Sequence, residues 1–106
     1  GEVCTTAIET ALQGTVEVEL HKGMGLDYPR AETDTHLISM GMDPDLDDAA
    51  STALRRMIDW VTATTPLTRH QAFMLMSLAA DVRVTQLVNE HKGIHVMMPR
   101  AALPAA

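Results

Sequence analysis

The segment Gly41-Met42-Asp43-Pro44, with the residues that follow it, constrains this chain more than any other stretch. Asp43 reads as a helix N-cap and Pro44 as the first helical position, where a missing N–H is no loss. Asp45, Asp47 and Asp48 then suit the positive end of the helix dipole. Leu46, Ala49, Ala50, Ala53, Leu54, Met57, Ile58 and Val61 recur with helical spacing, an apolar stripe running for roughly four turns. Pro66 stops the helix just after Ala63-Thr64-Thr65. A helix with so continuous a stripe has to lie on another element, and the neighbouring segments read as strands.

Those strands carry the period-two alternation of a sheet with distinct faces. Residues 4–12 and 15–21 alternate on either side of Gln13-Gly14, which predicts a hairpin. Residues 36–42 place Ile38, Met40 and Met42 on one face. Residues 82–88 align Val82, Val84 and Val88, and residues 94–98 align Ile94, Val96 and Met98. Thr68-x-x-Gln71 is a capping box that opens a second helix, with Leu67 placed to staple onto Ala72. That helix is apolar on nearly all sides through Phe73, Leu75, Met76 and Leu78, so it is buried or meets a partner.

Residues 23–34 mix Gly, Pro and charge without a period, a loop long enough to suggest a function. The order β-β-β-α-α-β-β predicts an α+β fold. Its sheet, antiparallel or mixed and of about five strands, carries two helices packed on one face. One domain is expected over residues 1–100, followed by a frayed tail at 101–106. Gly1-Glu2 leads straight into the first strand pattern, which reads as the interior of a longer protein's motif.

Charge limits the partners. A net charge of −6 argues against a nucleic-acid surface, which needs clustered Lys and Arg. No stretch approaches the ~20 apolar residues of a membrane span, so no membrane partner is expected. The lone Cys4 cannot form an internal disulfide, which fits a reducing cytoplasm. Aromatic residues are only 3% of the chain, and eight Met take over part of their packing role.

Few residues advertise chemistry. His91 and His95 have the spacing of two zinc ligands, with His21 and His36 on other segments, but no HExxH or Cys pair completes a set. The acidic run at Asp43–Asp48 lacks the Gly and Glu of a calcium loop and is explained by the helix terminus it precedes. Asp81 and Arg83, two apart after a buried helix, are placed to pair and organise the helix-to-strand junction. Glu2, at the mouth of a strand, is a candidate general base or a partner to a metal-bound water. Cys4 has no nearby His in sequence and is a poor nucleophile candidate. There is no GxSxG, P-loop or Rossmann fingerprint.

Several segments together resemble the C-terminal part of the acetamidase/formamidase family. They are Gly1-Glu2-Val3-Cys4-x-Thr6-Ala7-Ile8-Glu9, Gly41-Met42-Asp43-Pro44-Asp45-Leu46, and the helix with Met57-Ile58-Asp59. Ala72-Phe73-Met74-Leu75 and Ser77-x-Ala79-x-Asp81-x-Arg83-x-x-Gln86-x-Val88-Asn89 complete the set, in the family's order. The resemblance implies hydrolysis of short linear amides, formamide and acetamide, to a carboxylate and ammonia with the help of a divalent metal, zinc. It also implies that the metal ligands lie in an Asp/His-rich stretch upstream, in a missing N-terminal portion of the same protein. Glu2 is the one residue carried over as site-lining, and the isolated chain is expected to be inactive. Thr5 departs from the family's frequent Gly, and its side chain would crowd whatever approaches the backbone beside Glu2. A homo-oligomer is expected, with the apolar second helix as a contact face. The alternative is a non-enzymatic interaction or ligand-binding domain that reuses the fold.

Overall fold

Nested carboxylate turns fix where the first helix begins. In the computed structural model, which describes residues 2–105, Asp43 Oδ1 accepts the Asp45 amide at 2.9 Å. Asp45 Oδ1 in turn accepts the amides of Asp47 and Asp48 at 2.8 and 3.1 Å. Asp45 is therefore the cap, two residues later than Asp43, and Pro44 stays outside the helix because both carboxylates are used in sequence. Helix α1 spans Leu46–Thr64 and buries Ala49, Ala53, Met57, Ile58 and Val61 of the predicted stripe together with Trp60, while Leu46, Ala50 and Leu54 are partly buried. Thr65 closes it, with amide and hydroxyl both donating to the Val61 carbonyl. Helix α2 spans Arg69–Ala79 and opens on the expected capping box: Thr68 Oγ1 accepts the Gln71 amide, and Gln71 Oε1 accepts the Thr68 amide.

Four strands form one antiparallel sheet: β1 Arg30–Glu32, β2 His36–Asp43, β3 Asp81–Gln86 and β4 Lys92–Pro99, in the order β1-β2-β4-β3. Leu37, Ser39 and Gly41 of β2 and Ile94, Val96 and Met98 of β4 point at the helices. The helix-facing residues of β2 become small toward Gly41, and α1 descends onto them. A Cβ on Gly41 would stand 2.2 Å from the Ala49 carbonyl oxygen, and Ser39 Oγ donates to the Ala53 carbonyl at 2.7 Å. The α+β class with both helices on one face is as expected. The opposite face, with Ile38, Met40, His95 and Met97, is left without helices and only half-buried.

The N-terminal hairpin does not form. Residues 4–21 have no regular secondary structure, and Ile8, Leu12, Val16, Val18 and Leu20 are all more than 80% exposed (92, 88, 82, 87 and 82%). Alternation says that one face needs cover but not what covers it. The core here closes between the sheet and α1 without these residues, and a lone two-stranded hairpin is marginal in water. The strand that takes the β1 place is instead Arg30–Glu32, inside the segment read as a loop.

The first residues of the tail are held rather than frayed. Arg100–Ala102 makes a 3-10 turn, Arg100 Nε donates to the Thr33 carbonyl, and Ala102 and Leu103 pack against the core. No helix among the described residues is long and apolar enough to cross a membrane.

Candidate functional site

The sheet brings some of the predicted site residues together and separates others. Glu2 forms a parallel bridge with Gln86, and its carbonyl oxygen accepts the Leu87 amide at 3.1 Å. It is half-buried and sits beside the outer edge of β3, where a further strand could run. Asp81 lies at the far end of that strand, five residues from Gln86, roughly 16 Å away at the usual rise per residue. Glu2 and Asp81 are therefore not parts of one constellation.

Asp81 and Arg83 do pair, Arg83 Nη2 donating to Asp81 Oδ2 at 3.0 Å. The pair is exposed, however, at 61% and 55% for the two side chains. It lies on the face of β3 that the helices do not cover, so it does not organise a buried junction, and its contribution is that of a surface pair.

His95 lies opposite Arg83 in the β3–β4 ladder and opposite Met40 in the β2–β4 ladder. Its Nδ1 and the Thr85 hydroxyl are 2.7 Å apart. Burial, and then the facing Arg83 guanidinium, hold its pKa below the ordinary value of 6.5, so the ring is neutral near neutral pH. A neutral imidazole with one nitrogen occupied leaves the other to accept or donate a proton, depending on the tautomer. His91 is exposed in the β3–β4 connection, and His36 lies at the other end of β2 against Thr35. The histidines therefore sit apart. Among the described residues no three His, Cys, Asp or Glu side chains gather where they could hold an ion. Cys4 is exposed.

A second locus was not singled out from sequence. Between the segment leading into β1 and the flank of α1 lies a pocket of about 210 Å³. Arg30 stacks on the Trp60 ring at 4.0 Å and Arg56 on the Tyr28 ring at 3.8 Å. The length of the loop at 23–34 was the only hint of it. The pairs join residues about thirty positions apart, which only the β1–β2 ladder and the docking of α1 bring into contact.

No family model and no curated protein sequence matches this chain. Solved structures do. An acetamidase from Bacillus halodurans matches at 33% identity and a TM-score of 0.64, over 68% of this chain and 24% of its own. An acetamidase from Yersinia enterocolitica matches at 29% identity and a TM-score of 0.74, over 78% of this chain and 25% of its own. A predicted acetamidase/formamidase from Thermoanaerobacter tengcongensis shares the fold, with a TM-score of 0.68 at 22% identity. The resemblance to the acetamidase/formamidase family read from the sequence is borne out in three dimensions, and the chain spans about a quarter of the length of these structures.

Proposed function

We propose that this chain is part of an amide hydrolase acting on short linear amides of the formamide and acetamide class. The observation that carries the reading is the joint likeness in sequence and fold to acetamidases. In this reading the chain is the C-terminal part of the enzyme, and its first partner is the N-terminal portion of the same protein. A divalent metal, zinc, belongs to that upstream portion. The His, Asp and Glu side chains among the described residues do not fit it, being dispersed over separate strands and turns.

What this chain contributes is a carboxylate and a wall. Glu2 stands half-buried at the outer edge of β3, on a bridge that fixes its backbone, and its side chain makes no hydrogen bond among the described residues. A carboxylate so placed is able to take a proton from a water and return it to departing ammonia. The assembled enzyme is a cytoplasmic homo-oligomer in this proposal, with α2 as one contact surface.

The test is ammonia release from formamide and acetamide by the purified chain with zinc supplied. The reading expects none. Turnover at a rate near that of an intact family member would overturn it.

A non-enzymatic binding domain is the second reading, favoured by one observation: Phe73 and Leu78 of α2 are 56% and 86% exposed. The reading frame upstream of Gly1 separates the two. An Asp/His-rich stretch there supports the enzyme, and an unrelated domain supports the binding module.

A further inference from the structure

We propose that the pocket between the β1 segment and α1 binds a small carboxylate, held by the guanidinium groups of Arg30 and Arg56. The argument does not rest on the amidase reading. It starts from how the two side chains are held. Arg30 is in β1, its backbone paired with Ser39 of β2, and its guanidinium lies over the Trp60 ring. Arg56 is in α1, lies over the Tyr28 ring, and donates from Nη1 to the Met40 carbonyl at 2.8 Å. Both therefore come from regular elements, and both are stacked on an aromatic face, which fixes the plane of the guanidinium and leaves its edge available.

Those edges lack partners. Among the described residues, neither Arg30 nor Arg56 takes part in an ion pair. Among the described residues, the only hydrogen bond made by the two guanidiniums is the one to Met40. Each has five N–H donors, so most of them have no protein acceptor among the described residues. Asp59 borders the same pocket, and its Oδ1 is paired with Arg69.

Size and charge then select the ligand. A volume of about 210 Å³ equals roughly seven waters of liquid, room for a small organic acid. Two guanidiniums favour a planar oxyanion that can accept from both. Asp27 also lines the pocket and brings a negative charge, with no ion-pair partner among the described residues. It offsets part of the positive charge of the two guanidiniums, so the pocket is suited to a small monoanion.

Trp60 is the only tryptophan in the chain and forms the floor under Arg30, which supplies the readout. Acetate and propionate are titrated at constant ionic strength while Trp60 fluorescence is followed, with calorimetry as a second measure. A saturable change is expected. Arg30→Gln and Arg56→Gln should each weaken binding about tenfold or more, as loss of charge-assisted hydrogen bonds does. Arg30→Lys keeps the charge without the fork, guards against misfolding of the Gln variant, and should also weaken binding. Asp27→Asn should tighten it, which a general loss of structure would not do. Three outcomes overturn the proposal: no saturable change into the tens of millimolar, an equal response to chloride, or unaltered affinity in both Gln variants.

Discussion

Replacing Gly41 with alanine puts a methyl carbon 2.2 Å from the Ala49 carbonyl oxygen and 2.7 Å from the Ala53 amide nitrogen. Both neighbours are main-chain atoms of α1, so no side chain can rotate out of the way. Ordinary contact begins near 3.4 Å, and relief therefore requires α1 to withdraw from β2 by about 1.2 Å. That movement would stretch the Ser39–Ala53 hydrogen bond, now 2.7 Å, and loosen the fully buried Ala53, Met57 and Val61. Overpacking a core costs about 1–3 kcal/mol, and a clash with rigid backbone belongs at or above the upper end. At ~3 kcal/mol the melting temperature of a chain this size should fall by roughly 10–20 °C. Circular dichroism melts and urea titrations followed by Trp60 fluorescence give the values. Gly14→Ala is the control, since nothing lies within 4 Å of its built Cβ and its φ is not positive. Ala49→Gly should not rescue the variant, because the clash is with the carbonyl and not with the methyl group. A Gly41→Ala protein within ~0.5 kcal/mol of the parent would refute this account of how α1 sits on the sheet.

Other parts of the structure give further expectations. Thr68→Ala removes one half of the capping box and should cost about 1 kcal/mol in urea unfolding, with Thr68→Ser nearly neutral. Met57→Ala leaves a cavity at a fully buried site and should cost about 2–5 kcal/mol by the same measurement. His95 binds its proton less readily folded than unfolded, so the unfolded state holds more protons as pH falls through 6.5 and stability should drop there. His95→Gln should flatten that part of the pH profile, and an NMR titration midpoint above 6.5 would contradict the assignment. Phe73→Ser with Leu78→Ser should abolish any concentration-dependent self-association seen by light scattering, since both side chains stand out from α2.

Local signals in the sequence translated well and long-range ones did not. The α1 stripe, the Thr68 capping box and the stop before Pro66 depend on residues within a turn of each other, and each is found as expected. The cap moved from Asp43 to Asp45 because two carboxylates compete for successive amides, which spacing alone does not rank. The alternation at Val16, Val18 and Leu20 was read as half a hairpin, yet those side chains are open to solvent. The pattern is that of a strand, but the surface that would bury it is not supplied by the sheet or helices described here. The Asp81–Arg83 pair was legible from its spacing, whereas its exposure depends on which face the helices take. The Arg30–Trp60 and Arg56–Tyr28 stacks leave no trace in a local window, because each depends on the β1–β2 register.

The central claim, that this chain supplies a site carboxylate to an amide hydrolase, is tested most directly in a protein that joins this sequence to the upstream portion the proposal requires. Ammonia release from formamide and acetamide is measured for that protein and for its Glu2→Gln variant, with folding checked by circular dichroism. The account predicts release by the former and a fall in kcat of about a hundredfold or more in the variant, the range lost with a general base. Full activity with Gln at this position would remove Glu2 from the site, and no release by the longer protein would contradict the amidase reading itself.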